Sequence, residues 1–127
     1  MIRLVHCTLL LSLAFPPAAT AQQRPPRPPE NVQVLTELQG QPLRAEMQRI
    51  AAALGVKCDH CHVQGNFASD EKSPKRAARR MIEMTRALNA RHFPDYEVKE
   101  GDSVLGRVTC YTCHRGMTAP MAAPPAP

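Results

Sequence analysis

The chain has 127 residues, about a hundred of which remain once an N-terminal leader is set aside, so it holds one domain. It contains no Trp, three Phe and two Tyr, and a domain of this size with so few large apolar side chains lacks an adequate core of its own. The formal net charge of +5 does not indicate nucleic-acid binding, because the chain carries no recognised binding motif and starts with an export signal.

The first 21 residues predict a secretory signal peptide. Arg3 supplies a short basic region, Leu9 to Phe15 form an apolar run, and an Ala-x-Ala cleavage site ends at Ala21. The run is too short to cross a bilayer, and we expect no transmembrane segment in the mature chain. Cleavage after Ala21 removes Cys7 and places the protein in the periplasm, free or peripheral to the inner membrane. A lipid-modified Cys7 is the alternative, which the large residue before it disfavours.

Both ends of the mature chain are rich in proline. Residues 22–30 (QQRPPRPPE) predict an extended, disordered arm of the polyproline type, and residues 118–127 predict a disordered tail rich in Pro and Ala. Each end is either a spacer or a docking arm for a partner. The folded domain is therefore expected between residues 31 and 117.

The first predicted helix follows the arm. Pro42 suits a first helical position, and Gly55 is the expected stop. Between them runs an apolar stripe with helical spacing, formed by Leu43, Met47, Ile50 and Leu54.

A longer helix is predicted from Lys75 to Arg91. Ser73 is its expected N-cap and Pro74 its first helical residue. Its apolar side is expected to carry Ala77 or Ala78, Met81, Met84, Thr85 and Leu88. Residues 95–107 are polar and predict a loop or weak hairpin. The pattern as a whole indicates a mostly α protein with few or no strands.

Two copies of one short motif carry the chemistry of the chain. They are Cys58-Asp59-His60-Cys61-His62 and Cys110-Tyr111-Thr112-Cys113-His114, and each has the pattern C-x-x-C-H that attaches a c-type haem. Two thiols three positions apart on one helical turn can each add to one of the two porphyrin vinyl groups. The histidine that follows then gives its imidazole to the iron.

We therefore predict two covalently bound haem c groups. The thioether cysteines would be Cys58, Cys61, Cys110 and Cys113, and the proximal iron ligands would be His62 and His114. The porphyrins would supply the missing apolar core, with repeated helix, turn and C-x-x-C-H units packed around them. A zinc-binding or thiol-redox domain built from the two C-x-x-C pairs is the alternative, which the two trailing histidines and the signal peptide disfavour.

The opposite face of each iron either takes a sixth ligand or stays open. Methionine there raises the reduction potential and favours electron transfer, whereas an open position favours ligand binding and catalysis. Met47 lies on the helix before the first motif, and Met81 and Met84 lie on the helix before the second. Methionine on an apolar helical stripe often only fills a core, so the pattern alone leaves both interpretations open.

Several longer strings resemble one family, the cytochrome subunit of photosynthetic reaction centres. They are NVQVL (residues 31–35), NFASD (66–70), ARRM (78–81), EMTRALNA (83–90) and RVTCYTCHRG (107–116). The resemblance implies a small multihaem cytochrome c fold built around the two haems. It also implies that Met47 is the sixth ligand of the first haem and Met81 that of the second, with Met84 as the second choice. Implied partners are reaction-centre subunits or a soluble cytochrome donor.

The chain also departs from the family pattern. That subunit carries four haems, and this chain resembles only the half with the first two, so the role of re-reducing the photo-oxidised pigment pair is in doubt. His92 echoes a family haem ligand but is expected at the surface, as is His60. We expect a periplasmic electron-transfer protein and no enzyme. The alternatives are a stand-alone carrier of a non-photosynthetic respiratory chain, or a small haem peroxidase or sensor.

Overall fold

Four helices joined by loops make up the part of the chain that the computed structural model describes, residues 30–124. They are α1 (Gly40–Leu54), α2 (Cys58–Cys61), α3 (Ser73–His92) and α4 (Cys110–His114). These residues form no strand, so the predicted mostly α fold is confirmed. The predicted signal peptide, residues 22–29 of the arm and residues 125–127 of the tail lie outside the described part.

α1 ends in a left-handed glycine, as the sequence predicts. Gly55 has a φ of +66°, and its N–H donates to the carbonyl of Ala52 over 3.2 Å. The N–H of Val56 donates to the carbonyl of Ala51 over 3.0 Å. This pair of bonds satisfies the last carbonyls of the helix and turns the chain towards the first motif.

α3 starts slightly earlier than predicted. The helix begins at Ser73, and the N-cap is Lys72, whose backbone is extended, so the predicted N-cap was one residue too late. Pro74 lies in the first turn, where a backbone N–H has no helical partner and proline is tolerated.

The buried side of α3 differs from the predicted apolar side. It is formed by Lys75, Ile82, Thr85 and Asn89. Only Thr85 belongs to the predicted set, and Met81 and Met84 are 39% and 51% exposed. The helix therefore presents a methionine-bearing face that the polypeptide itself leaves uncovered.

The apolar core between the helices is small. Leu35, in the segment before α1, is fully buried and packs with Ile50, Ile82 and Leu105. Met47 is partly buried and packs against this cluster. None of the helices in residues 30–124 is long and apolar enough to pass through a membrane.

Buried polar side chains fasten the helices to the loop before α4. Glu46 of α1 is 1% exposed and accepts a hydrogen bond from the hydroxyl of Ser103 over 2.6 Å. Arg49, one turn further on, donates to Glu46 over 3.2 Å. The bond from Ser103 holds the loop against α1, and it also satisfies a buried carboxylate that would be costly to leave without partners.

Asn89 of α3 binds the same loop closer to the second motif. Its amide nitrogen donates to the carbonyls of Leu105 and Val108, each over 2.7 Å. Its amide oxygen accepts the N–H of Val108 over 2.8 Å. One side chain thereby fixes the entry into α4.

Candidate haem-binding sites

The first motif forms its own helical turn. α2 contains Cys58 and Cys61, and the N–H of His62 donates to the carbonyl of Cys58 over 2.9 Å at the end of that turn. Cys58 is exposed and Cys61 is partly buried. Burial raises the pKa of the Cys61 thiol, and nearby Cys58 adds to this effect, whereas the ammonium of Lys72 opposes it. Both sulfurs thus lie on one turn, as attachment to one porphyrin requires.

His62 is held in one tautomer. Its Nδ1 lies 3.3 Å from the carbonyl oxygen of Phe67. A carbonyl oxygen only accepts, so Nδ1 must carry the proton and the lone pair is left on Nε2. Burial is the main cause that lowers the pKa of His62, and the cations Lys75, Arg79 and Lys72 lower it further, against the bond to Phe67. A neutral imidazole with a free Nε2 is the form that binds iron.

The second motif repeats the turn. α4 runs from Cys110 to His114, and the backbone N–H of Thr109 donates to the hydroxyl of Thr112 over 3.0 Å at its start. Arg115 follows in a left-handed conformation, with a φ of +49°. Here Cys110 is the partly buried cysteine and Cys113 the exposed one, the reverse of the order in the first motif. Burial raises the pKa of the Cys110 thiol.

His114 makes the same kind of bond as His62. Its Nδ1 lies 2.9 Å from the carbonyl oxygen of Met117, so its Nε2 is also the free nitrogen. Metal-binding histidines in proteins generally donate their other ring N–H to such an acceptor, which fixes the orientation of the ring. The two motifs therefore share one chemical arrangement.

Exposed apolar side chains lie beside both histidines. Phe67 packs against the ring of His62 with 5.1 Å between ring centroids, and it is exposed on its other side. Tyr111 and Met117 are exposed at the second motif. On α3 the uncovered apolar residues are Met81, Met84 and Leu88. Apolar surface of this kind next to the attachment residues fits a large apolar group such as haem.

A cavity of about 410 Å³ opens between α1, residues 101–103 and the start of α4. Ile50 and Ala53 form part of its wall, together with Cys110 and Tyr111 of the second motif. Glu46 also lines this cavity. A cavity with a partly apolar wall therefore borders Cys110, one of the predicted thioether cysteines.

The predicted sixth ligands lie on the helices that pack against the motifs. α1 carries Met47 and packs against α2 and α4. α3 carries Met81 and Met84 and also packs against both of these short helices. Met47 is partly buried, whereas Met81 and Met84 are exposed. His60 and His92 are both exposed, as the sequence predicts.

The four motif cysteines lie on two separate turns, two on α2 and two on α4. Within residues 30–124 no group of three or more His, Cys, Asp or Glu side chains comes together in a way that could hold a metal ion. The four motif cysteines form no disulfide. The sequence did not reveal the carbonyl partners of the two histidines, because a backbone acceptor leaves no mark on residue identity.

Two C-x-x-C-H motifs, each ending in a histidine fixed for binding through Nε2, define a c-type cytochrome. Residues 9–123 match a family model described as the photosynthetic reaction centre cytochrome C subunit. The chain belongs to this family, and the resemblance seen in the sequence is confirmed.

Individual relatives agree with this result. The photosynthetic reaction center cytochrome c subunit of Thermochromatium tepidum is 39% identical over 93 residues, which cover 72% of this chain and 21% of the relative. Cytochrome c-554 of Chloroflexus aurantiacus is 40% identical over 85 residues, or 66% of this chain and 20% of the relative. The subunit of Rubrivivax gelatinosus is 37% identical over 93 residues, or 72% and 23%. The aligned part thus spans about a fifth of each relative.

Proposed function

We propose that this chain is a dihaem electron carrier of the periplasm with no substrate chemistry of its own. The observation that carries the proposal is the repetition, at both motifs, of two thiols on one turn and a histidine whose Nδ1–H is held by a backbone carbonyl. Bound haem supplies an iron that stores one electron by changing between its ferric and ferrous states.

The residues that would hold the two haems follow from the two repeats. Cys58 and Cys61 hold the first porphyrin through thioethers, with His62 as its iron ligand. The second porphyrin has the corresponding ligands Cys110, Cys113 and His114. The family resemblance is what assigns Met47 to the first iron and Met81 to the second, with Met84 as the second choice. α1 and α3 each pack against both motifs, so both helices lie close enough to offer a methionine to a haem bound there.

Methionine on both open faces would favour electron transfer over catalysis. A thioether stabilises ferrous iron and excludes small ligands, so neither site would turn over a substrate. The relatives named as reaction-centre subunits support a reaction centre or a soluble cytochrome donor as redox partner. The alternative is a stand-alone carrier in a respiratory chain without photosynthesis.

The mass of the exported protein tests the haem count. We expect residues 22–127 with two haems that remain attached after extraction with acidified acetone, because thioethers are covalent. Replacement of Cys110 and Cys113 by Ala should lower the mass by one haem, and the same change at Cys58 and Cys61 should do likewise. A bare polypeptide in the wild type would end the proposal, and one haem would end its dihaem form.

Carbon monoxide separates the carrier from a peroxidase or sensor. The reduced protein should not bind it rapidly at either haem, because both iron faces are occupied by side chains. Rapid binding at one haem would reveal an open iron and favour the enzyme or sensor alternative.

A further inference from the structure

One backbone carbonyl beside the first motif accepts two side-chain hydrogen bonds. The oxygen of Phe67 receives Nδ1–H of His62 over 3.3 Å and Nζ of Lys75 over 2.8 Å. A carbonyl oxygen has two lone pairs, so both bonds can form, but the two donors draw on the same electron density. The bond from Lys75 is shorter and carries a charge, so it is the stronger of the two.

Lys75 is fixed in this position from several sides. The residue is 9% exposed, which is unusual for a lysine. Its ammonium also donates to the carbonyls of Ala68 and Ser69, each over 2.9 Å. With Phe67, these acceptors use all three N–H groups of the ammonium. The contact with Phe67 is therefore one of three carbonyl contacts that hold the ammonium beside the first motif.

The positive charge of Lys75 is not cancelled locally. Its Nζ lies 3.1 Å from the carboxylate of Asp70, but Arg79 pairs with the same carboxylate oxygen over 2.8 Å. Two cations thus share one anion. A net positive charge remains on the side of the first motif where His62 lies.

The second motif lacks such a cation. His114 donates to the carbonyl of Met117 over 2.9 Å, and in the described part of the chain no lysine or arginine side chain donates to that oxygen. The bond of His114 is thus shorter than that of His62, and its acceptor is not shared with a charged side chain.

We propose that Lys75 is a positioning residue that raises the reduction potential of the first haem by weakening the hydrogen bond from His62 to Phe67. This inference rests on the proposed function, since it needs haem at the first motif. A strong bond at Nδ1–H makes the imidazole a better electron donor and stabilises ferric iron. Competition for the carbonyl reduces this donation. The uncompensated charge of Lys75 acts in the same direction, because it disfavours the additional positive charge of ferric iron.

The test compares the haem-loaded wild type with Lys75→Met, which keeps the length of the side chain and removes the ammonium. A redox titration should show that the midpoint potential of one haem falls while the other stays in place. In NMR spectra of the reduced protein, the ring N–H of His62 should move downfield and exchange more slowly with solvent. The ring N–H of His114 should not change.

Two further variants control for charge and for folding. Lys72 donates to the carbonyl of Asp59 inside the first motif, and not to Phe67. Lys72→Met should therefore leave the chemical shift and the exchange rate of the His62 ring N–H unchanged, although it removes a nearby charge. Lys75→Gln keeps a neutral hydrogen-bond donor, so this variant should fold even if Lys75→Met fails to fold. It should still lower the midpoint potential of the first haem.

The outcomes distinguish this inference from the proposed function. Haem content is measured first, and a wild type without haem at the first motif contradicts the proposed function. With haem present, an unchanged potential in the Lys75 variants contradicts the role of Lys75. An upfield shift of the His62 ring N–H resonance with faster exchange would also contradict this role, since Lys75 would then only hold the loop. Loss of haem from both Lys75 variants but not from Lys72→Met would contradict the role for the same reason.

Discussion

The backbone N–H of Gly116 donates to the carbonyl oxygen of Ala53 over 2.8 Å, and so joins the end of the second motif to the helix that leads into the first. Gly55 makes this contact possible, because a Cβ at this position would overlap the carbonyl oxygen of Gly116. This backbone contact therefore joins the second C-x-x-C-H turn to α1, the helix that leads directly into the first turn.

Gly55→Ala should destabilise the haem-loaded protein by more than the left-handed backbone alone explains. That conformation costs a non-glycine residue roughly 1–2 kcal/mol, and the overlap with Gly116 adds to it. Gly40→Ala is the matched control, because Gly40 has a φ of +57° and no atom within 4 Å of the added Cβ. Equal losses in guanidinium denaturation would contradict the importance of this backbone contact.

Asn89→Ala should lower the free energy of unfolding by about 3 kcal/mol, because it leaves the buried backbone groups of Leu105 and Val108 without partners. Asn66→Ala is the control: its side chain accepts one exposed bond from the N–H of Ser69, and the loss should stay below about 1 kcal/mol. Chemical denaturation of both haem-loaded variants measures the difference. Similar losses would show that Asn89 does not anchor the loop.

Asp70 should make the protein sensitive to acid. Its bonds with the guanidinium of Arg79 and with Asn31 hold the pKa of its carboxyl below the usual range. A carboxyl whose pKa is lowered by folding stabilises the protein above its ordinary pKa of roughly 4, and this contribution is lost as the pH falls towards the lowered value. Asp70→Asn should therefore reduce stability at neutral pH and flatten its decline below about pH 5. Asp95, which forms no ion pair in residues 30–124, provides the control Asp95→Asn.

The helices and motifs could be predicted because their signals are local. Gly55 stops α1 through its own backbone, and Pro74 marks the first turn of α3 wherever the rest of the chain lies. Each C-x-x-C-H motif forms its turn from adjacent residues. These features depend on a few positions in succession, which the sequence displays directly.

The buried polar residues could not be predicted, because their partners are distant in the chain. Glu46 meets Ser103, and Asn89 meets Val108, through contacts that only the folded chain creates. On a helix, Lys75 resembles any solvated lysine, yet it is buried. The exposure of Met81 could not be predicted either, because the polypeptide packs α3 along another side.

Folding should depend on the haems. The buried apolar residues in the described part are few: Leu35, Ile50, Ala53, Ile82 and Leu105. Burying so little apolar surface does not offset the entropy of ordering a chain of about a hundred residues. Replacing all four motif cysteines by Ala should leave a largely unfolded chain, as judged by far-UV circular dichroism. A cooperative thermal transition in that variant would show that the polypeptide core suffices.

Met47 and Met81 should be the sixth ligands of the first and second iron. Methionine bound to ferric haem gives a charge-transfer band in the near infrared, which should lose part of its intensity in Met47→Leu and another part in Met81→Leu. Leucine preserves the apolar volume, so the change reports on ligation and not on packing. Loss of the thioether should also lower the potential of the affected haem.

Met84→Leu is the matched control one turn along α3, since Met84 is exposed as Met81 is. If Met84→Leu removes the second component instead, the ligand is Met84, and an unchanged band in all three variants would contradict methionine ligation.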